Sequence, residues 1–470
     1  MVRYCPLAGH KAALLGASAD SKGRKRAVYM KSVLRGLVAL LGLTVCITLN
    51  PACMAQSTDT ASDNAARMQE LERQIQELRS EVAALKASSS ATTTTTSSTA
   101  PVLNAVASTT ATGATPAAPS LASLLGPTSL SGFVDMYYGQ NFNNPAARSS
   151  SLRSFDVAAN QFGLNLVELV VDKQPDVNNS RTGYHLALGF GQAMNAVNGS
   201  DPGGLSFDQY LKEAYFSYLA PVGKGLQIDA GKFVTPAGAE VIETKDNWNY
   251  SRGLLFSYAI PYFHFGMRAK YTFNDHYAVA GYLVNGWNSV VDNNTGKTYG
   301  GSFFWNPSKK FGITENYLIG PELANDNAAK RQLVDTVVTF SPTGRLSFII
   351  NHDYGRGDRV PAYSKPVYWT GIAGYVRYAF NSSNAFATRY EYFDDKYGVM
   401  TGGFASPTPQ HLHGFTGTYE HLMAHHILTR MEFRRDQSNI PSFVKGTTPV
   451  MAQNTATLGL VYMFDSREGK

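Results

Sequence analysis

The chain has 470 residues, of which 16% are charged, and a formal net charge of +6. Residues 1–55 hold eight of the 41 Lys and Arg residues and one of the 35 acidic residues, so the rest of the chain has 33 basic and 34 acidic residues and a net charge of −1. Because the positive charge belongs to the N-terminal segment, the composition excludes an extended basic surface, and we expect no nucleic-acid partner.

Residues 1–55 have the features of a secretory signal peptide. Lys31 and Arg35 precede an apolar stretch at 36–49, which is followed by small residues before a cleavage point near residue 55. The segment is long for a signal peptide, and a true start at Met30 would give an ordinary one. The apolar stretch is too short to span a membrane comfortably, and no later stretch is longer, so the sequence predicts no transmembrane helix. All three cysteines of the chain lie in this leader.

Residues 56–87 are predicted to form a short periplasmic coiled coil. Apolar residues alternate at spacings of three and four, which is the a/d seam of a heptad repeat. The seam consists of Met68, Leu71, Ile75, Leu78, Val82 and Leu85. Three heptads are marginal alone, so a solvated helix that never self-associates is the alternative. Contact with the cell wall and templating of an oligomer are both possible uses of this segment.

Residues 88–128 are rich in Ser, Thr, Ala and Pro and have scarcely a charged residue. A segment of this composition cannot bury a core and is predicted to be a disordered linker. It would hold the coiled coil away from the domain at 129–470.

The domain at 129–470 reads as a series of strands in which apolar and polar residues alternate with a period of two. Sixteen such runs are predicted: 131–142, 160–172, 181–192, 209–221, 225–234, 262–273, 276–286, 297–306, 311–320, 331–341, 344–353, 368–380, 384–394, 411–422, 425–436 and 454–464.

The links between these runs alternate in length. Links from even to odd runs are tight, as at Asn274-Asp275, whereas links from odd to even runs have roughly 10 to 27 residues. Residues 321–330 are one of the expected long loops. Short turns on one side, long loops on the other and an even strand number are typical of an outer-membrane β-barrel. A sheet in lipid must close so that no edge is left unpaired, and the predicted fold is therefore an all-β, transmembrane antiparallel barrel of about 16 strands.

Several short stretches in this domain occur together in one known family. They are residues 141–145 (NFNNP), 231–240 (GKFVTPAGAE), 247–252 (NWNYSR), 261–266 (PYFHFG), 284–288 (VNGWN), 389–394 (RYEYFD) and 430–436 (RMEFRRD). In these stretches the chain resembles the OmpL-like family of outer-membrane porins over roughly residues 129–464. The resemblance implies a pore in the outer membrane of a Gram-negative cell. It implies no catalytic or ligand residue.

A barrel of sixteen strands encloses an aqueous channel, so selectivity requires a constriction. The longest link, Thr235 to Pro261, is predicted to fold inward and to supply the acidic residues Glu240, Glu243 and Asp246. The period of two points four arginines into the lumen, with Glu391 and Glu432 interleaved. The arginines are Arg377, Arg389, Arg430 and Arg434. An acidic loop opposite a basic wall would create a transverse field across the channel. The alternative is that these charges pair along the wall and make it rigid.

The sequence therefore predicts a passive diffusion channel for small hydrophilic solutes or ions, assembled as a homotrimer in outer-membrane lipid. A different class, an adhesin or envelope-tethering protein anchored by a plugged barrel, is the alternative. No nucleophile motif or phosphate-binding loop is present, so we predict no enzyme activity, no catalytic residue and no cofactor. His411, His413, His421, His425 and His426 lie near strand ends, and we predict no metal site there.

Overall fold

The computed structural model describes residue 73, residues 126–402 and residues 407–467. Within these ranges sixteen antiparallel strands form a closed barrel, and the last strand pairs with the first. The prediction of a sixteen-strand barrel is confirmed. The predicted signal peptide, the coiled-coil seam and nearly all of the linker lie outside the described residues.

The barrel consists of β1 to β15 and β18. Their bounds are β1 Ser129–Asn141, β2 Gln161–Lys173, β3 Thr182–Phe190, β4 Leu211–Ala220, β5 Leu226–Val234, β6 Phe263–Thr272, β7 Tyr277–Val284, β8 Thr298–Ser308, β9 Phe311–Leu323, β10 Asp326–Phe340, β11 Leu346–Gly357, β12 Val367–Ala379, β13 Asn384–Asp395, β14 Gln410–Met423, β15 Ile427–Ser438 and β18 Ala452–Asp465. Two short strands, β16 Phe443–Lys445 and β17 Thr448–Val450, form a hairpin in the last loop.

The alternation of side chains gives each strand an outer apolar face and an inner face. In β18 Leu458 and Tyr462 are about half exposed on the outside, whereas Val461 on the inner face is 1% exposed. Apolar side chains exposed on the outside of a closed barrel are stable only in contact with lipid. The outer surface is therefore the membrane-facing surface.

The even-to-odd connections are short, as predicted, and most odd-to-even connections are long. The expected loop at 321–330 is an exception, and that prediction is wrong. β9 extends to Leu323 and β10 begins at Asp326, so a turn of Ala324-Asn325 joins them. Asn325 has φ 59°, a left-handed conformation that asparagine tolerates and that a tight turn requires.

Within residues 126–402 and 407–467, helical segments occur only in loops. Helices α1 Gln192–Asn198 and α2 Leu205–Asp208 lie in the second long loop, and a 3₁₀ turn, Thr244–Asp246, and a π-helix, Leu255–Ala259, lie in the third. In the part of the chain that the structure describes, no helix has the length and apolar character needed to cross a membrane.

The main apolar core lies inside the barrel, between the third long loop and the wall. Leu254, Leu255 and Phe256 of the loop pack in one buried cluster with Trp369 of β12 and Phe393 of β13. An apolar core inside the lumen anchors the loop by the same burial that stabilises a soluble domain. We call residues 235–262 loop L3.

Candidate functional site

Loop L3 is bound to the barrel interior by hydrogen bonds to many strands. The Gly238 N–H donates to Asp335 Oδ1 of β10 at 3.0 Å, and the Ala239 N–H donates to Asn351 Oδ1 of β11 at 3.1 Å. The Trp369 indole N–H donates to the Ala259 carbonyl at 3.1 Å. A loop whose own backbone groups are satisfied by wall side chains holds one position, because each broken bond would leave a buried polar group unpaired.

Arg389 of β13 is the central contact between the wall and the loop. Its Nη1 donates to Glu240 Oε1 at 2.6 Å and to the Ser251 carbonyl at 2.7 Å. Its Nε lies 2.8 Å from Glu391 Oε2 in an ion pair that is not aligned for a hydrogen bond. Burial raises the pKa of Glu240, and the Arg389 guanidinium beside it opposes that rise. One fully buried arginine thus serves two buried carboxylates.

Arg430 and Arg434 of β15 make further contacts with L3. Arg430 is paired with Glu420 at 2.6 Å and donates to the Thr244 carbonyl at 2.5 Å. Arg434 Nη1 donates to the Arg252 carbonyl at 2.6 Å. Both arginines are buried, so they hold the loop and have almost no surface left for solvent.

The fourth predicted arginine, Arg377, is different. It is paired with Glu420 at 2.8 Å, and 31% of its side chain is exposed. It lies near the end of β12 at which the short turns occur, and its hydrogen bonds among the described residues do not reach L3. The structure therefore brings Arg389, Arg430 and Arg434 together under the loop and leaves Arg377 beside them.

The three predicted acidic residues of L3 have different surroundings. Glu240 is buried and forms an ion pair with Arg389. Glu243 accepts a hydrogen bond from the buried Lys212 of β4. Asp246 is 54% exposed and is paired at 2.6 Å with its neighbour Lys245. Of the three carboxylates, only that of Asp246 is largely in solvent.

Two carboxylates of the wall also hold L3, one of which, Glu432, was predicted to point inward. Glu432 accepts the N–H groups of Tyr250 at 2.6 Å and Ser251 at 3.1 Å. Asp135 of β1 accepts the Tyr250 hydroxyl at 2.7 Å. Burial, reinforced by the Asp135 carboxylate, raises the pKa of the Tyr250 phenol well above its ordinary value. The sequence analysis missed Asp135, although the period of two places it on an inward position.

The wall formed by β3 to β6 has a separate cluster that the sequence analysis missed. Arg268 of β6 donates from Nε to Asp229 Oδ2 of β5 at 2.7 Å. Its guanidinium lies 4.9 Å from the ring centroid of Tyr215 and 4.7 Å from that of Phe233. Tyr215 in turn stacks on His185 of β3, with ring centroids 5.0 Å apart. About a quarter of the Arg268 side chain is exposed.

Two of the predicted histidines have ordinary hydrogen-bonding partners at strand ends. His411 lies 3.1 Å from Asp394, and His413 Nδ1 lies 3.0 Å from the Tyr390 hydroxyl. In the described ranges, no group of three or more His, Cys, Asp or Glu side chains is arranged to hold a metal ion.

A closed sixteen-strand barrel with an apolar outer face and a loop fixed inside the lumen defines an outer-membrane β-barrel of the porin class. A family model described as "Putative beta-barrel porin-2, OmpL-like" matches residues 127–464. The chain therefore belongs to this OmpL-like porin family, and its barrel is an outer-membrane protein.

Three solved structures illustrate what the barrel is similar to. An anion-selective porin from Comamonas acidovorans is 11% identical with a TM-score of 0.48, and the match covers 72% of this chain and 99% of that one. The outer-membrane channel DcaP of Acinetobacter baumannii is 12% identical with a TM-score of 0.48, over 72% of this chain and 97% of that one. A trimer form of the outer-membrane protein OmpT of Vibrio cholerae is 12% identical with a TM-score of 0.47, over 72% of this chain and 99% of that one. No curated protein matches the chain in sequence.

Proposed function

We propose that this protein is a passive diffusion channel for small hydrophilic solutes or ions. The observation that carries the proposal is the asymmetric attachment of L3. In the described part of the chain, the hydrogen bonds that residues 238–253 make to barrel strands go to β1, β2, β4, β10, β11, β13, β14 and β15. At its start L3 also accepts a hydrogen bond from Asn316 of β9 at the Pro236 carbonyl, and the Thr235 hydroxyl lies 3.3 Å from His264 Nε2 of β6. A loop held in this way narrows the lumen and leaves the arc of β5 to β8 as the side along which solutes pass.

The constriction in this proposal lies between L3 and the opposite arc of the lumen wall, formed by β5 to β8. Arg389, Arg430 and Arg434 form the basic wall and fix the position of the loop, since a buried charge that loses its partner is strongly unfavourable. Glu240 belongs to the same contact. Asp246 contributes negative charge at the loop surface, whereas the charge of Glu243 is paired with that of the buried Lys212. The field of the exposed charges acts on ions that pass along the opposite arc.

The proposed assembly is a homotrimer of barrels surrounded by outer-membrane lipid. The coiled-coil seam from Met68 to Leu85 would lie in the periplasm and template the trimer or contact the cell wall. The linker at 88–128 would give this segment reach. Comparing the mass of the full chain with that of a variant lacking residues 56–128, in detergent, tests whether the seam contributes to assembly.

The test of the channel is single-channel conductance of the protein without its leader in a planar lipid bilayer containing KCl. Stable current steps are expected, commonly in groups of three. A variant with Arg389, Arg430 and Arg434 replaced by Gln should still insert but should show unstable steps and altered ion selectivity, because the loop loses three anchors.

The matched control is Arg435→Gln. Arg435 belongs to the same strand as Arg430 and Arg434 but is exposed, and its Nη1 donates to Asn454 at 3.1 Å. This control should conduct as the unaltered protein does. If a correctly folded barrel gives no conductance, the channel proposal fails, and a plugged barrel that anchors an adhesive or tethering segment takes its place.

A further inference from the structure

Among the described residues, the arc of the wall from β5 to β8 makes one hydrogen bond to L3, between Thr235 Oγ1 and His264 Nε2 at the start of β6. We therefore take the rest of its inward side chains to face the space that the loop leaves. The charges on these inward positions are few. Arg268 and Lys270 share the inner face of β6, since they are two residues apart, and Asp229 lies opposite Arg268 on β5. The arc therefore has two cations and one carboxylate.

The Arg268 guanidinium is held rigidly. Tyr215 and Phe233 contact it with their rings, and Asp229 fixes its Nε. Asp229 is itself fixed, because Ser217 Oγ donates to its Oδ1 at 2.6 Å. Contacts of an arginine with aromatic rings and with a carboxylate remove the conformational freedom that would otherwise be lost when a solute binds.

The remaining donors of Arg268 are directed at no partner within the described residues. Its hydrogen bonds there involve Nε alone, which leaves the two terminal amino groups, and a quarter of the side chain is exposed. Lys270 is exposed, has no ion pair among the described residues, and its Nζ lies 4.9 Å from the Phe304 ring centroid. A planar pair of N–H donors with a second cation nearby matches the two oxygens of a carboxylate.

We propose that Arg268, assisted by Lys270, is the solute-contacting residue of the channel and binds the carboxylate group of small organic anions during passage. This inference rests on the proposed channel function and deepens it by naming a solute class. It also separates two kinds of arginine. The donors of Arg389, Arg430 and Arg434 are bonded to the loop and to wall carboxylates, whereas the terminal amino groups of Arg268 remain available to a solute.

The test titrates sodium succinate into KCl on either side of a bilayer that contains the unaltered protein, and measures the concentration-dependent block of single-channel current. The decisive variant is the double substitution Arg268→Gln and Asp229→Asn. It removes one positive and one negative charge, so the net charge of the arc is unchanged while the guanidinium is lost. The apparent affinity for succinate should fall roughly tenfold, about the value of a charge-assisted hydrogen-bonded pair.

Two further variants keep the result interpretable. Arg268→Lys keeps both the charge and the pairing with Asp229 but loses the planar donor pair, so it should also weaken the succinate block. Arg435→Gln on the outer face should leave it unchanged. Sodium sulfate, a tetrahedral dianion, should block the unaltered channel less than succinate does.

Each contrary result overturns the inference in its own way. A succinate block of equal strength in the double variant shows that net charge, and not the guanidinium, binds the solute. Equal or stronger block by sulfate contradicts the carboxylate class. Conductance without any succinate block leaves the channel function standing and removes the role of Arg268, whereas absence of conductance in KCl alone defeats both proposals.

Discussion

Two arcs of the lumen wall use arginine in opposite ways. On β13 and β15, Arg389, Arg430 and Arg434 are at most 2% exposed and are surrounded by carboxylates and loop carbonyls. On β6, Arg268 has one carboxylate partner and two aromatic contacts and stays partly exposed. All four residues are inward positions of the same barrel. The position of L3 alone decides whether an inward arginine stabilises the protein or is available to a solute.

The two arcs also differ in the groups that they offer to the backbone of L3, and this difference explains why the loop lies against β10 to β15. The arc from β10 to β15 supplies acceptors and donors at several heights, including Asp335, Asn351 and Glu432, each bonded to a backbone N–H of L3. The arc from β5 to β8 has largely aromatic and small inward residues. A loop with many unpaired backbone groups is most stable against the wall that can satisfy them.

The largest expected effect follows from Arg389→Ala, which breaks the loop side of this comparison. It leaves Glu240 and Glu391 buried without their cation, and uncompensated buried charge costs about 3–5 kcal/mol. We expect a lower temperature for loss of the folded barrel on heating in detergent, together with unstable current steps. Arg435→Ala removes the same side chain from the outer face and should change neither. Equal heat stability of the two variants would contradict the anchoring role of Arg389.

A somewhat smaller effect is expected from Glu432→Gln. The substitution removes the charge that accepts the N–H groups of Tyr250 and Ser251, and hydrogen bonds to charged groups contribute about 1.5–3 kcal/mol. The frequency of brief channel closures should rise, because the middle of L3 is less tightly held. Glu315→Gln is the control, since in the part of the chain that the structure describes Glu315 Oε2 accepts only the Thr336 hydroxyl, at 2.7 Å and away from L3. Closure frequencies that match in the two variants would count against this contact.

Tyr250→Phe should have a modest effect. It removes the hydroxyl that donates to Asp135 at 2.7 Å, while Asp135 still accepts Thr244 Oγ1 at 2.5 Å. A net loss of about 1.5 kcal/mol is expected, the lower end of the range for a hydrogen bond to a charged group, because Asp135 keeps its other donors. The measurement is the heat stability of the barrel in detergent. Tyr299→Phe, at a position 60% exposed on the outer face, should be neutral. A larger loss of heat stability in Tyr299→Phe than in Tyr250→Phe would contradict the stabilising role of the Tyr250 hydroxyl.

The smallest effect is expected from Asp246→Asn, which tests the solvent side of L3. Its carboxylate is more than half exposed, so its field is screened by salt, and we expect about a twofold or smaller change in the ratio of cation to anion permeability at ~0.1 M KCl, fading at 1 M. Reversal potentials in a KCl gradient measure this ratio. Asp275→Asn, in the exposed β6–β7 turn, is the control. A change that persists at 1 M KCl would mean that Asp246 acts at close range on the permeating ion.

The sequence by itself determined the barrel and the face on which each side chain lies. Residues 129–464 have a period of two and tight turns such as Asn274-Asp275, and a sheet in lipid can have no unpaired edge. Few folds other than a closed barrel satisfy these conditions. The inward direction of Arg389 and Arg430 follows from the same alternation. Even so, the turn at Ala324-Asn325 was not predicted, because the polar residues that follow it read as loop although they continue the strand pairing.

Only the tertiary structure decided which inward residues meet. Arg389 pairs with Glu240 across a separation of 149 residues, and Arg268 is enclosed by Tyr215 and Phe233 from two other strands. A strand pattern specifies a face but not the partner across the lumen, and the path of L3 depends on the sum of apolar burial and hydrogen bonds that it finds on one arc of the wall. The exposure of each arginine, and with it its role, is a consequence of that path.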